Sequence, residues 1–260
     1  MIPDGDRYER RVPQNTYKIL DLVEGLGMRC TCFTVGNVAR RYPELIRDIV
    51  DRGHEIGCHT NEHTTLDRLD PDGFRRDLEQ NIEDLERCGA KNIRGFRAPV
   101  GSLTPNTSWA YEVLAELGFT YSSSVLSAHS PLYCWPGFGS DLKRMAGGVW
   151  ELPISVLPLP KVPLPYAGGT YLRVLPFPLI RWGVSRDRAA NRPIVSHIHP
   201  YDVDTEQARF MHPELGNSQI LNSLMYINRG RVLRRFEKLV AMDLRFTRFD
   251  EYVAALGDDD

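Results

Sequence analysis

The chain has no apolar run approaching the roughly 20 residues that cross a bilayer, so no helical span is expected. It has no long stretch of one charge either: 32 Lys and Arg against 34 Asp and Glu leave a formal net charge of −2. That balance leaves no electrostatic footprint for nucleic acid or for an anionic membrane. Cysteines number five, an odd count without zinc-knuckle spacing, which argues against a disulfide scaffold. Cys30 and Cys32, two apart on an expected strand, point to one face and read as small buried hydrophobes, reduced in a cytosolic protein. The opening Met1-Ile2-Pro3-Asp4-Gly5-Asp6 is not a signal peptide, so the expected location is the cytoplasm. Internal repeats and low-complexity segments are absent.

What is present is a regular alternation of helix and strand signals. Ile19, Leu22, Val23 and Leu26 follow helical spacing, with Asn15 as N-cap and Gly27 past the end. Arg29 to Val35, β-branched and aromatic, reads as a buried strand closed by Gly36-Asn37. Pro43 opens a helix through Asp51, and His54 to His59 is the next strand. Asp70-Pro71 starts a helix whose apolar face is Phe74, Leu78, Ile82 and Leu85. Asn92 to Phe96 is a third strand. Thr104-Pro105 begins a helix with Trp109, Val113, Leu114 and Leu117, ended by Gly118. Strand, crossover helix and strand repeated this way predict parallel strands with helices outside. A length of 260 residues is ordinary for one α/β barrel.

Within this pattern, Gly53 to His63 (GHEIGCHTNEH) delivers two histidines four residues apart just past a strand. Residues at i and i+4 share one face of a helical turn, so neutral imidazoles of His59 and His63 can converge on one metal ion. With seven histidines in the chain, chance predicts only about 0.2 such pairs. Taken alone, the pair also reads as two solvated loop histidines. Its position beyond a strand's C-terminal end, where α/β enzymes place their sites, favours the metal.

The second half is less regular. Ser130 to Gly148 reads as a long loop, Trp150 to Ser155 as a strand, and the proline-rich Val156 to Gly169 as a surface segment. Leu175 to Arg186 is expected to be helical, and Pro193 to Ile198 a strand ending at His199-Pro200-Tyr201. A late helix spans Arg229 to Ala241, followed by a short strand, Arg245 to Thr247, and a terminal helix from Asp250.

Thr16 to Gly101 resembles the NodB-type polysaccharide deacetylases (carbohydrate esterase family four), metal-dependent hydrolases that remove N-acetyl groups from amino sugars. The resemblance rests on the helix and strand before Gly36, on GHEIGCHTNEH, and on GFRAPVG at Gly95 to Gly101. The later half is similar to a subgroup tied to exopolysaccharide and surface-glycan biosynthesis, through WELP at Trp150, GGTYLRVLP at Gly168 and IHPYDVD at Ile198. The resemblance implies an α/β fold, a distorted (β/α) barrel with fewer than eight regular strands, as a single domain over residues 1–260. It implies His59 and His63 as metal ligands, with Zn2+ as the ion and Co2+, Ni2+ or Mn2+ as alternatives. Arg97, in a pocket with Pro99, would orient a carboxylate, a task for a planar, permanently charged fork; by itself it also reads as one half of a surface ion pair. His199 would protonate the departing amine, with His197 as a satisfied strand-end histidine. Tyr201, Tyr133 and Trp135 could stack on sugar rings, although aromatic loop residues also cap cores. The partner implied is an N-acetylated oligo- or polysaccharide.

The chain departs from the resemblance at its start. The family carries aspartates on its first strand, one as general base and one completing the metal site. Here only Ile2-Pro3-Asp4-Gly5-Asp6 is available. Asp4 aligned with the family's Asp-Gly would be the metal carboxylate, leaving Pro3, which cannot accept a proton, at the base position. The expectation is that the aspartate-bearing strand lies upstream of Met1. A second departure is Ser122-Ser123-Ser124, where the subgroup often has an aspartate. Two functions follow: a glycan N-deacetylase, or a catalytically impaired domain that binds a glycan or a biosynthetic partner.

Overall fold

A computed structural model of the chain describes residues 11–128, 133–157, 159, 164–211 and 217–257. The chain falls into two compact units, one of Arg29–Leu164 with Thr247–Asp260 and one of Met1–Met28 with Pro165–Phe246.

The first unit is built on a sheet. Its strands are β1 (Thr31–Thr34), β2 (Glu55–Cys58), β3 (Gly95–Phe96), β4 (Tyr121–Ser122), β5 (Lys143–Arg144) and β6 (Trp150–Glu151). They lie in the order β1-β2-β3-β4-β6-β5, all neighbours parallel except the edge pair β5 and β6. Parallel neighbours require a crossover, and helices Gly36–Arg41, Pro43–Asp51, Pro71–Arg87 and Ala110–Glu116 supply the first three. The fold is thus α/β with a mostly parallel sheet, as the alternation predicts. Strands covered on both faces can be wholly apolar or neutral, and β2 is buried at all four positions. Phe74, Leu78 and Leu85 fill the space between helix and sheet, meeting Phe96 edge to face at 5.3 Å from Phe74. The terminal helix Phe249–Gly257 joins this unit, with Phe249 stacked on Tyr121 at 5.6 Å.

Boundaries set by local chemistry fall where expected. Pro43 and Asp51 bound their helix, and the Asp70 carboxylate caps the next by accepting the Gly73 N–H at 2.7 Å. Gly36-Asn37, expected to close a strand, instead starts the helix Gly36–Arg41. Gly36 is required there, since a Cβ would stand 2.0 Å from the Asn61 side-chain oxygen.

The second unit is helical: Arg11–Gly25, Gly169–Val174, Phe177–Ala189, Gln219–Tyr226 and Val232–Val240, with short 3₁₀ turns at Pro200–Val203 and Arg229–Arg231. Its core holds Leu20, Val23, Leu172, Ile180, Val184, Val232, Phe236 and Leu239. Asn15 is not an N-cap: the helix begins at least four residues earlier, and the buried Asn15 amide donates to the Arg11 carbonyl. Helix Arg11–Gly25 packs on the 3₁₀ turn Pro200–Val203. Neither Pro193 to Ile198 nor Arg245 to Thr247 forms a strand among the described residues. The first run satisfies its polar groups outside a ladder: the His197 carbonyl accepts from Gly169 N–H and the Ser196 hydroxyl donates to the Ala167 carbonyl. A Cβ on Gly168 would come within 2.5 Å of His197, which accounts for the glycine pair there. The two ends of the proline-rich segment are not on the surface, since Val156, Leu157, Tyr166 and Ala167 are all buried.

Candidate functional site

Register places the expected residues of the sheet unit. Cys58 pairs with Phe96 and Phe96 with Ser122, and each of these residues ends its strand. The next residues, His59, Arg97 and Ser123, therefore stand abreast at the C-terminal ends of β2, β3 and β4. Because side chains alternate along a strand, residues in equivalent register leave the sheet on one side. Backbone bonds hold the row: Arg97 N–H to the Cys58 carbonyl and Ser123 N–H to the Phe96 carbonyl, both 3.0 Å.

His59 Nδ1 lies 2.6 Å from the Arg97 carbonyl oxygen. A carbonyl only accepts, so Nδ1 carries the proton and the lone pair sits on Nε2, the form a divalent metal takes. The His63 ring lies 5.0 Å from it, centroid to centroid, at 73°. The expected helical turn is not what joins them. Residues 59–63 form an irregular loop in which Thr60 and His63 adopt left-handed φ of 60° and 56°, unfavourable for a β-branched residue and for most others. Neighbours over-determine this conformation. Gly36 and Asn37 N–H groups donate to the Thr60 and Asn61 carbonyls, and the Asp77 carboxylate accepts Asn61 N–H at 2.7 Å. Arg40 bonds the Asn61 side chain, Glu62 and the buried Asp84. Buried Asn81 accepts from His59 N–H and donates to the Thr34 carbonyl.

The two imidazoles fit a metal as a partial ligand set. Among the described residues no group of three His, Cys, Asp or Glu stands close enough to hold an ion. Asp4, the expected carboxylate, lies outside the described residues, as do Pro3 and Asp6.

Arg97 meets no carboxylate in an ion pair among the described residues. Its Nε donates to the Ser123 carbonyl and one terminal nitrogen to the Ser123 hydroxyl, both at 2.8 Å, while its guanidinium carbon sits 4.4 Å from the centre of the Phe33 ring. Burial lowers its pKa to about 10. Ser123 is itself fixed from below. The Glu151 carboxylate, fully buried, accepts the N–H groups of Ser124 and Val125 at 2.7 and 2.8 Å and the Tyr111 hydroxyl at 3.0 Å. Burial pushes the Glu151 pKa up against these bonds. Pro99 opens a short 3₁₀ turn and is buried, so it shapes this end of β3.

The helical unit carries the other expected residues. His199 Nδ1 lies 3.0 Å from Asp202 Oδ2, which also accepts the His199 N–H at 2.9 Å. The other oxygen of Asp202 pairs at 3.0 Å with Nε of Arg173, and both side chains are wholly buried. Arg173 further donates to the Met225 carbonyl and the Thr170 hydroxyl. The bonds and charges from His199 and Arg173 outweigh desolvation and hold the Asp202 carboxyl below its ordinary range. His199 itself remains partly exposed, so an oriented imidazole faces solvent on a buried carboxylate. Tyr201 stacks on it at 4.7 Å and 11°, and the His197 ring lies 5.6 Å away. Trp135 packs edge to face on Phe138 at 5.1 Å, and the Tyr133 hydroxyl donates to Asp67; both have protein partners of their own.

Sequence reading missed Asn81 and Asp84, named Ser123 only as a departure, and quoted Glu151, Arg173 and Asp202 within motifs without giving them a role. Asn81 and Asp84 had a signal, being polar residues on the apolar face of Pro71–Arg87. Asp202 stands three residues after His199, a spacing that a turn brings into hydrogen-bond reach.

Comparison with known proteins agrees with this fold. A putative polysaccharide deacetylase from Mycobacterium smegmatis is similar in fold over 98% of this chain and 82% of that one, with 19% identity and a TM-score of 0.65. A CE4 family pseudoenzyme from Bacillus anthracis matches at a TM-score of 0.50 and 14% identity, over 93% of this chain and 61% of that one. Residues 4–122 match the polysaccharide deacetylase family. The chain belongs to the family of the domain of unknown function DUF3473, matched over residues 123–254. A peptidoglycan-N-acetylglucosamine deacetylase of Bacillus cereus is 32% identical over 98 residues, 37% of this chain and 36% of that protein. The chain thus aligns with about a third of the length of that relative. No helix among the described residues is long and apolar enough to cross a membrane.

Proposed function

We propose that this chain is a metal-dependent hydrolase that removes N-acetyl groups from amino sugars of an oligo- or polysaccharide, acting in exopolysaccharide or surface-glycan biosynthesis. The observation that carries the reading is the His59–His63 pair at the end of β2, with Nδ1 of His59 committed to the Arg97 carbonyl. A divalent ion, Zn2+ or else Co2+, Ni2+ or Mn2+, would supply Lewis acidity to the acetamide carbonyl and to a bound water. The chain's own residues do the rest. His59 and His63 offer nitrogen lone pairs, with Asp4 the carboxylate proposed to complete the set. Arg97 fixes the His59 tautomer through its carbonyl and presents a partly desolvated cation. His199 is proposed as the acid that protonates the leaving amine, its ring oriented by Asp202. Reduced Cys30 and Cys32 fit the proposed cytoplasmic location.

A second reading rests on a specific contact. The guanidinium of Arg97 donates to Ser123, where the proposed chemistry calls for a carboxylate. A domain so built binds a glycan without cleaving it efficiently. One experiment separates the two. Metal content and acetate release from N-acetylglucosamine oligomers are measured for the chain, for His59→Ala/His63→Ala and for Asp4→Asn. The hydrolase reading expects about one ion per chain, lost in the double variant at a stability cost of only about 1 kcal/mol, and turnover lost in both. Metal retained by the double variant overturns the site, and oligomer binding without acetate release establishes the second reading.

A further inference from the structure

In the helical unit, Arg229 is a buried cation that forms no ion pair with a carboxylate among the described residues. Arg229 is 4% exposed. Its Nε donates to the Met225 carbonyl and one terminal nitrogen to the Asp204 carbonyl and to Gln207 Oε1, all neutral acceptors. The other terminal nitrogen is buried with no hydrogen-bond partner among the described residues. The two carboxylates nearby are engaged elsewhere: Asp202 by Arg173 and His199, and Asp204 by both nitrogens of an Arg11 fork at 2.5 and 2.6 Å. Arg11, Arg173 and Arg229 thus stand around Asp202 and Asp204, and among the described residues Arg229 is the one of the three that makes no ion pair with them. A buried charge that lacks a direct partner is expensive, and an anionic ligand that reached it would offset that cost.

Around Arg229 lies a cleft of about 280 Å³, lined also by Thr205, Gln207, Arg209, Tyr226 and Asn228. Asn228 turns left-handed, at φ 56°, immediately after helix Gln219–Tyr226 and so brings Arg229 back under that helix's last residue. The Tyr226 ring lies 4.5 Å from the Arg229 guanidinium carbon and 5.8 Å from that of Arg209. Cations, amides, a hydroxyl and one aromatic face are what a sugar acid requires: a fork for its carboxylate, donors for its hydroxyls and a ring for its apolar face. The Tyr201 ring, which stacks on His199, is 5.7 Å from the Arg229 guanidinium carbon.

We propose that this cleft is an acidic-sugar subsite in which Arg229 and Arg209 bind the carboxylate of a uronate residue in the glycan. The assignment rests on the deacetylase reading for its glycan and adds that the glycan is anionic. Phosphate chemistry would satisfy the same two guanidinia, so the test separates the sources. Binding of a tetrasaccharide of alternating glucuronate and N-acetylglucosamine, of neutral N-acetylglucosamine tetramer and of inorganic phosphate is measured by calorimetry. The chain, Arg229→Lys, Arg209→Ala and Arg234→Ala are compared. Arg209 is exposed, so its variant stays folded even if the buried one does not, and Arg234 lies on a separate basic helix face as the charge control.

The expected result is roughly tenfold or greater preference for the acidic over the neutral tetramer. Arg209→Ala and Arg229→Lys should abolish that preference, and Arg234→Ala should leave it intact. Equal binding of the two tetramers, or a preference that survives at Arg209→Ala, overturns the proposal, as does phosphate bound as tightly as the acidic tetramer. Binding is read without turnover. A charge preference with no acetate release keeps this subsite and defeats the hydrolase reading, whereas acetate release with no preference does the reverse.

Discussion

In the sheet unit, His59 and His63 are placed by backbone: strand register, two left-handed residues and neutral or partly exposed hydrogen bonds around the loop. In the helical unit, His199 is placed by charge, through Asp202 to the fully buried Arg173. The first arrangement spreads its cost over many weak contacts, so no single contact is decisive. The second concentrates it in one pair, which cannot lose a member without stranding an ion. A site for a metal gains from the first design, because ligand positions follow the sheet. A site for a proton gains from the second, because the buried carboxylate orients one ring nitrogen and leaves the other facing out.

The comparison breaks most sharply at Asp202. Asp202→Ala leaves Arg173 buried and unpaired, and is expected to cost about 3–5 kcal/mol, read from urea unfolding. The paired alanines at His59 and His63 should cost far less. A loss at Asp202 below that of the histidine pair would mean that the ion pair is not what holds the helical unit.

The sheet unit has its own buried carboxylate, at the other end of β2 from His59. Glu55 accepts from the Tyr121 hydroxyl at 2.5 Å and from Thr31, and burial raises its pKa to about 7. The native state therefore holds a proton that the unfolded chain releases near 4.5. Between those values the native state binds more protons, so stability falls as pH rises through this window. The total is on the order of 3 kcal/mol. Glu55→Gln, whose amide oxygen still accepts from Tyr121, should flatten the slope of unfolding midpoint against pH between about 4.5 and 7 while leaving metal binding unchanged. A slope that persists in the variant assigns it to another group.

Gly36→Ala tests the spread-out design. Its Cβ would displace Asn61, and the expected cost is about 1–3 kcal/mol, together with weaker metal binding, since Asn61 anchors the loop between the histidines. Unchanged metal affinity would show that the loop keeps its histidines without Asn61. Thr60→Gly gives the smallest effect. Relief of the left-handed threonine offsets the extra entropy of glycine in the unfolded chain, so stability should shift by under about 1 kcal/mol. The loosened loop should still bind metal less tightly, which titration with Zn2+ would detect.

What the sequence by itself determined is local. Pro43 marks a helix start by its fixed φ, Asp70 by a bond to a residue three further on, and Thr104 with Thr107 opens a 3₁₀ turn by the same reach. The strand–helix alternation gave the parallel sheet, because parallel neighbours need crossovers, and the place of His59 after β2 followed from it. Tertiary structure alone decided the partners. Ser123 meets Arg97 only because Phe96 pairs with Ser122, and Glu151 reaches Ser124 only because β6 lies beside β4. The two family matches meet between Ser122 and Ser123, yet the six-stranded sheet runs across that junction without a break. The His197 run looks like a strand by composition, but strand formation needs a neighbour's edge, and its bonds go instead to Ala167 and Gly169. Arg229 carries no periodic or motif signal that separates it from the other arginines, and Arg173, though inside GGTYLRVLP, carries none that shows it to be buried. Burial separates both, and burial is a property of the whole packed chain, since it depends on segments some 20–60 residues away closing over the charge.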